Sequence, residues 1–195
     1  MWDNTGRTLF LSPQRCIGCR ACVVGCRECE SHRGLAMIFI DFLDREKSFA
    51  TSPTLCMHCQ EPPAPCAQVC PTQAILINSD GAVMEALKER CIGCLNCVYA
   101  CPFGIPKYDE AENLQYKCNL CYDRVVDGKK PMCATVCPSG AIFYGTYQEF
   151  AARQRAEPVN VHRFGRQTVR TGVYVGAPPG TEILPVELDS GKRNS

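Results

Sequence analysis

The spacing of the cysteines constrains this chain more than any other feature. Of its 195 residues, seventeen are cysteine. Sixteen of them form four quartets, each beginning with C-x2-C and ending with C-x3-C. In chain order the quartets are Cys16, Cys19, Cys22, Cys26; Cys56, Cys59, Cys66, Cys70; Cys91, Cys94, Cys97, Cys101; and Cys118, Cys121, Cys133, Cys137. The pattern predicts an internal repeat whose second and fourth copies carry loop insertions. Cys29 falls outside the repeat.

The segments around the quartets predict small hairpins and short helices. Proline follows the last cysteine of every quartet except the first, where Arg27 follows Cys26. Because a C-x3-C end places its two cysteines about one helical turn apart, it predicts a short helix. The helices predicted in this way cover residues 25–30, 67–70 and 98–101. Strand-like patterns occupy residues 36–40 and 141–144, and residues 74–84 predict a hairpin.

Composition and charge exclude several classes of protein. The formal net charge is +1, so a strongly basic face for nucleic acid is not expected. The longest apolar run, residues 35–40, is too short for a direct membrane span, and the first residues lack the apolar stretch of a signal peptide. We therefore expect a cytoplasmic location, where the thiols stay reduced and available to metals. Export together with a partner that carries its own signal is the alternative.

The quartets favour iron–sulfur clusters over zinc. The spacing C-x2-C-x2-C-x3-C is a bacterial iron–sulfur pattern, in which three thiolates bind one cluster and the fourth binds a second cluster. Gly18 and Gly93 permit the tight loops that this requires. Structural zinc is the main alternative, because the fourth quartet taken alone resembles a zinc site. The first and third quartets crowd four cysteines into eleven residues, which zinc sites rarely do, and a disulfide framework explains the pattern less well.

Three motifs beside the quartets point to a known family. They are Cys56-Met-His-Cys59 with Pro62-Pro63 ahead of Cys66, Lys117-Cys-Asn-Leu-Cys-Tyr-Asp-Arg124, and Gly128-Lys-Lys-Pro-Met-Cys133. With the order of the quartets, they make residues 8–146 resemble the four-cluster, ferredoxin-type electron-transfer subunits of molybdopterin oxidoreductases. The resemblance implies an α+β fold of two nested, bacterial-ferredoxin-like dicluster units. Residues 1–53 plus 111–146 would form the outer unit, residues 54–110 the inner unit, and residues 147–195 an extended C-terminal arm for docking on a partner.

The resemblance also implies which cysteines share a cluster. The first quartet would pair with the fourth and the second with the third, and each quartet would give its last cysteine to the paired cluster. The implied ligand sets are Cys16, Cys19, Cys22, Cys137 (cluster 1); Cys56, Cys59, Cys66, Cys101 (cluster 2); Cys70, Cys91, Cys94, Cys97 (cluster 3); and Cys26, Cys118, Cys121, Cys133 (cluster 4). All four are expected to be [4Fe-4S] clusters. Arg27 stands where the family usually has proline, which leaves Cys29 as a competitor of Cys26, although the spacing favours Cys26.

The implied function is electron relay without catalysis. The chain would carry single electrons through four clusters between a large molybdopterin- or tungstopterin-containing catalytic subunit and a second redox partner. That second partner would be a membrane quinone-linked subunit, a flavoprotein, a hydrogenase or a ferredoxin. The alternative is a free-standing polyferredoxin that serves several oxidoreductases. The chain has no phosphate-binding loop and no nucleophile motif, so it predicts no active site of its own.

Some residues allow two interpretations each. His58 either tunes a cluster by hydrogen bonding or only packs beside one, whereas His32 and His162 indicate no function. Four basic residues near the quartets either compensate cluster charge or form a solvated surface; they are Lys107, Arg124, Lys129 and Lys130. Residues 148–155 predict a helix and 167–175 a strand. The arm that contains them either lies on a partner or folds back, and for a docked arm truncation after Tyr147 should leave the clusters intact.

Overall fold

The computed structural model describes residues 6–32, 34–43 and 48–186. Its helices are α1 (Ala21–Arg27), α2 (Pro65–Gln68), α3 (Asn96–Ala100), α4 (Tyr122–Val126), α5 (Met132–Val136) and α6 (Tyr147–Arg153), with 3-10 turns at Pro13–Arg15 and Glu30–His32. Its strands are β1 (Thr8–Leu11), β2 (Phe39–Phe42), β3 (Thr51–Thr54), β4 (Cys59–Glu61), β5 (Ile75–Ile77), β6 (Val83–Ala86), β7 (Lys107–Asp109), β8 (Leu114–Tyr116), β9 (Ile142–Gly145), β10 (Glu157–Phe164), β11 (Gln167–Ala177) and β12 (Leu184–Pro185). Short helices and small sheets together confirm the α+β class.

One six-stranded sheet joins the two ends of the described chain. Its order is β12-β10-β11-β1-β9, and β4 also pairs with β11. The β1 strand runs parallel to β11 and antiparallel to β9. All four residues of β1 are buried, and the Phe10 ring stacks on Phe150 and Tyr174 at centroid distances of 4.5 and 5.3 Å. The apolar β1 strand therefore lies inside the sheet, between β11 and β9, and its Phe10 ring is part of an aromatic cluster.

The structure places much of the predicted arm in this sheet. The predicted helix and strand are confirmed as α6 and β11, and a capping box of Thr146 and Glu149 begins α6. Strands β10 and β11 form an antiparallel hairpin, which packs along β1 and β4. Of the two interpretations of the arm, residues 157–177 adopt the one in which the chain folds back on its own domain. Residues 187–195 lie outside the described residues.

The short elements around the quartets differ from the predictions mainly at their boundaries. The hairpin of residues 74–84 is confirmed as β5 paired with β6. The first three helices begin earlier than predicted, since α1 and α3 begin directly after left-handed residues, Arg20 and Leu95. Strand β2 covers Phe39–Phe42 instead of residues 36–40, because the Met37 N–H donates to the Cys26 sulfur and is therefore not used for pairing with another strand. None of the helices in the described ranges combines the length and apolar character that crossing a membrane requires.

The helices pack in pairs around a shared core. Helix α1 of the first quartet packs on α5 of the fourth, and α2 of the second quartet packs on α3 of the third. This agrees with the order of pairing in the nested units, whose division stays a prediction. A single buried cluster of side chains includes Leu11 and Cys22 from the outer segments together with Leu55, Met57 and Ile105 from the inner segment. We infer that the two segments stabilise each other.

The contact between α1 and α5 depends on Gly25. A Cβ atom added at Gly25 would lie 2.8 Å from Cγ2 of Val136 and 3.4 Å from Cγ of Met132. We expect Gly25→Leu to push the helices apart and cost about 1–3 kcal/mol, which is the usual cost of overpacking. The thermal unfolding midpoint should then fall by several degrees. The control is Val24→Leu, an exposed position on the same helix. Equal midpoints for both variants would contradict close packing at Gly25.

Candidate metal centres

The four C-x2-C loops share one backbone turn. The residue before the second cysteine has a positive φ in every loop: 66° at Gly18, 50° at His58, 67° at Gly93 and 62° at Leu120. This conformation costs a residue other than glycine roughly 1–2 kcal/mol, so its use at His58 and Leu120 indicates a strong local constraint. Turns of this kind point successive N–H groups to one side and make a concave site for an anion. An anionic metal–sulfur cluster fits such loops.

A second turn follows the last cysteine in three quartets and is missing in the first. Gln73, Gly104 and Gly140, each three residues after the last cysteine, have positive φ angles, whereas Cys29 occupies this place in the first quartet. Helices α3 and α5 end at the residue before the last cysteine, and a proline follows that cysteine. Helix α1 instead continues through Cys26 to Arg27. The absence of a proline therefore allows α1 to extend past its last cysteine and changes the direction of the chain that follows.

The first and fourth quartets meet at two groups of thiols. Burial and the nearby Cys137 thiol, with smaller effects of Cys16 and Cys19, raise the pKa of Cys22 to about 11. Burial raises the pKa of Cys133 well above its usual value, and the neighbouring thiols Cys118, Cys121 and Cys26 add to the shift. The structure thus brings together the four cysteines predicted for cluster 1 and the four predicted for cluster 4.

The second and third quartets meet in the same way. One cavity is lined by Cys56, Cys59, Cys66 and Cys101, the set predicted for cluster 2. Another is lined by Cys70, Cys91, Cys94 and Cys97, the set predicted for cluster 3. Burial, followed by the fields of the neighbouring thiols, raises the pKa of Cys59, and burial raises the pKa of Cys97 to about 11.

These donor sets suit an iron–sulfur cluster. Each set consists of four soft sulfur donors that converge from two chain segments. Thiolates are costly in such buried and crowded positions unless a cation neutralises them, and bound iron supplies that charge. Backbone N–H groups also point at the sulfurs: Met37 N lies 3.2 Å from Cys26 Sγ, and Ala74 N lies 3.3 Å from Cys70 Sγ. Such hydrogen bonds stabilise thiolate ligands and influence cluster potential.

Cys29 and His32 lie beside the cluster 4 cysteines. Cys29 is only 4% exposed, and its sulfur, the sulfur of Cys121 and a ring nitrogen of His32 all lie within 4.8 Å of one another. His32 Nδ1 is 2.9 Å from the Cys26 carbonyl oxygen and 3.2 Å from Cys26 Sγ. Sequence reasoning missed His32, although the Cys29-x2-His32 spacing next to the first quartet was a signal that could have found it. The site therefore contains a fifth thiol and an imidazole.

Three of the four predicted basic residues are exposed, whereas a buried lysine was missed. Lys107, Lys129 and Lys130 are exposed, and Lys129 pairs with Asp127 at 3.7 Å. This arrangement favours the interpretation of a solvated surface for these lysines. Lys117 is instead 2% exposed and lines the cavity of the cluster 2 cysteines. In the sequence, Lys117 is only the first residue of a family motif, and nothing there indicates that it is buried.

A comparison with protein families assigns the cysteine scaffold. Residues 48–147 match the family described as "4Fe-4S dicluster domain", which is half of the chain. The chain belongs to the 4Fe-4S dicluster family. The matched range contains all cysteines of the second, third and fourth quartets. Membership shows that the chain carries [4Fe-4S] clusters and confirms the preference for iron–sulfur over zinc.

Curated relatives of this dicluster protein are subunits of oxidoreductases. It is 36% identical to the formate dehydrogenase-O iron-sulfur subunit of Escherichia coli, with 92% of this chain and 66% of the relative aligned. It is 34% identical to a sulfite dehydrogenase subunit of Allochromatium vinosum (72% and 69% aligned) and to the thiosulfate reductase electron transfer subunit PhsB of Salmonella typhi (82% and 84%). The chain spans 58–66% of the length of the formate dehydrogenase subunits of Escherichia coli and Haemophilus influenzae. The resemblance to subunits of this superfamily is thereby confirmed.

Proposed function

We propose that the chain is a non-catalytic subunit that relays single electrons through four [4Fe-4S] clusters. The clusters would use the ligand sets given above, within nested outer and inner units. Electrons would pass between a molybdenum- or tungsten-pterin catalytic subunit and a second redox partner. Names of relatives such as formate dehydrogenase, sulfite dehydrogenase and thiosulfate reductase support this class of partner. We also propose that the clusters are assembled in a reducing compartment such as the cytoplasm, because the sites require free thiols.

The observation that carries the proposal is the linear order of the four cysteine sites. Burial raises the pKa of Cys133 and the nearby Cys22 thiol adds to the shift, which supports a site 1 beside site 4. Burial, followed by the nearby Cys56 thiol, raises the pKa of Cys118, which supports a site 2 beside site 4. Cys97 acts on Cys66 and places site 3 next to site 2. These pairs of neighbouring thiols support the order 1, 4, 2, 3, which would suit a wire in which electrons move between adjacent clusters.

The two ends of this order reach the surface. Cys19 in site 1 and Cys94 in site 3 are exposed, whereas the four cysteines of site 4 are buried. Exposed apolar side chains occupy equivalent repeat positions at both ends, with Ile17 (68%) and Val24 (58%) at site 1 and Ile92 (60%) and Tyr99 (84%) at site 3. Exposed apolar groups that surround a redox end suit docking of a partner protein. Each end would therefore serve one redox partner.

Purification with its partners tests the relay. The chain, tagged and expressed from its own genomic neighbourhood, should copurify with a large pterin-containing subunit and hold about sixteen irons, four for each cluster. Electrons supplied by the substrate of the large subunit should reduce all four clusters, as followed by electron paramagnetic resonance. A chain loaded with iron that copurifies with no pterin protein would contradict the proposed partner. A chain with only zinc would contradict the relay itself.

Charged substitutions at the ends should separate the two partners. We expect Tyr99→Lys, at site 3, to weaken binding of one partner at least tenfold, because a desolvated aromatic anchor often contributes more than about 1.4 kcal/mol. Val24→Lys, at site 1, should do the same for the other partner. The control is Val126→Lys, an exposed valine on α4, next to the buried site 4. The binding constants of the three variants are measured by surface plasmon resonance. Equal affinities for all three would rule out docking at the ends.

A further inference from the structure

A lysine is buried between two of the cysteine sites. Lys117 follows β8 and immediately precedes Cys118, and its side chain is among the largest fully buried ones. Its Nζ donates to the carbonyl oxygens of Val83 and Cys118, the latter at 3.2 Å, and to Cys56 Sγ at 3.7 Å. Three acceptors match the three donors of an ammonium group, whereas a neutral amine has only two. The geometry therefore describes a charged lysine.

This charge has no carboxylate partner within the part of the chain that the structure describes. The ion pairs found there join other residues, namely Arg7 with Glu149, Lys88 with Glu112, Lys129 with Asp127 and Arg170 with Glu61. A buried, uncompensated ammonium is strongly destabilising, so a chain rarely retains one without a nearby negative charge. The groups that can supply this charge here are the cysteine sulfurs, because Lys117 lines the cavity formed by Cys56, Cys59, Cys66 and Cys101.

We propose that Lys117 is the counter-charge of cluster 2 and raises the reduction potential of that cluster. This inference rests on the proposed function, since it requires a cluster at the four cysteines. Reduction adds one electron to the cluster and no charge to the lysine. A fixed positive charge nearby therefore stabilises the reduced form more than the oxidised form, and the low polarity of the surroundings strengthens the effect. Lys117 acts on the cluster through its electric field and does not bind iron.

Neighbouring groups are consistent with this arrangement. Burial raises the pKa of the Cys66 thiol, and the nearby Lys117 charge opposes that effect. The Val83 N–H donates to His58 Nδ1 at 3.0 Å, so this nitrogen carries no proton and the imidazole adds no second positive charge. Lys117 thus supplies the positive charge at this cavity. Because it also contacts the Cys118 carbonyl, a smaller effect on cluster 4 is expected.

Redox titration of the loaded chain tests the proposal. We expect Lys117→Met to keep about sixteen irons and to lower the reduction equilibrium constant of one cluster at least tenfold, which is about 59 mV for one electron. Lys117→Arg, which keeps the charge, should shift the potential less. Lys88→Met is the matched control, because it removes the charge of a solvent-exposed lysine. The shifted signal is assigned to cluster 2 when Cys59→Ser perturbs the same signal in electron paramagnetic resonance spectra.

Each result decides a different question. Four unchanged potentials in a fully loaded Lys117→Met chain would overturn the proposal and leave the relay intact. An equal shift in Lys117→Arg would show an effect of packing, which also overturns it. If the Lys117→Met chain does not assemble its clusters, the Lys117→Gln chain is titrated instead, and the same negative shift of the potential is expected. Loss of iron from both neutral variants, with normal loading of Lys117→Arg, would make Lys117 an assembly residue instead. A wild-type chain without four clusters would refute the proposed function first.

Discussion

Truncation of the chain after Arg153 is expected to destroy the cluster 2 site. The deletion removes β10 and β11, and β11 holds the loop that contains Cys56 and Cys59. The N–H of Gly172 donates to the carbonyl oxygens of Met57 at 3.1 Å and His58 at 3.0 Å, and the N–H of Val173 donates to that of Met57 at 3.3 Å. Strand β4, which begins with Cys59, pairs with β11. Without this support, the strained turn at His58 loses the contacts that maintain it.

The loss should extend beyond one site, because β11 also pairs with β1. The Thr8 hydroxyl donates to the Gly172 carbonyl at 2.6 Å, and the buried face of β1 would become exposed. We expect the truncated chain to lose at least about four irons, one full cluster, and to be poorly soluble. This differs from the expectation, made for a docked arm, that truncation after Tyr147 leaves the clusters intact.

Iron and sulfide analysis of purified chains measures this effect. The control is a chain that ends at Val186, since it keeps β10, β11 and β12. A finer variant, Gly172→Pro, removes the N–H donor and restricts φ at one position of β11, so it should weaken mainly the cluster 2 loop. A chain truncated after Arg153 that stays soluble and keeps about sixteen irons would show that the hairpin is dispensable for the clusters and would restore the docking interpretation.

The sequence predicted those features that depend on local spacing. The quartets, the hairpin of residues 74–84 and the helix of residues 148–155 follow from turn residues and periodicity over a few positions. Helices α1 and α3 begin earlier than predicted because each starts directly after a left-handed residue, Arg20 or Leu95. A positive φ at a residue other than glycine is hard to recognise in sequence. Metal identity was also predictable, because the donor type and spacing determine which centre fits.

Contacts between distant segments could not be predicted in this way. Parallel pairing of β1 with β11 joins residues that lie far apart in the chain, and the strand pattern of β11 gives no partner. The role of Lys117 depends on Val83 and Cys56, which approach it only in the folded chain. A lysine next to a cysteine normally indicates a surface charge, so burial had to be observed.

The second large effect concerns the ligand of cluster 4. We expect Cys26→Ser to lose about four irons per chain and Cys29→Ser to lose none. Cys26 lies among the cluster 4 thiols, since it raises the pKa of Cys118 and Cys133 after larger effects of burial and other thiols. Its sulfur accepts the Met37 N–H at 3.2 Å, as the sulfur of Cys70, another last cysteine of a quartet, accepts the Ala74 N–H at 3.3 Å. Cys26 therefore has the surroundings of a last ligand.

Cys29 nevertheless lies close enough to compete. Its sulfur lies within 4.8 Å of the Cys121 sulfur, and α1 continues past Cys26 because no proline ends it there. Iron and sulfide analysis of Cys26→Ser, Cys29→Ser and the double variant separates the cases. If only the double variant loses about four irons, Cys29 replaces Cys26 when needed. Loss from Cys29→Ser alone would make Cys29 the ligand. The position of the helix end, one residue after the last cysteine instead of one residue before it, would then decide which thiol binds iron.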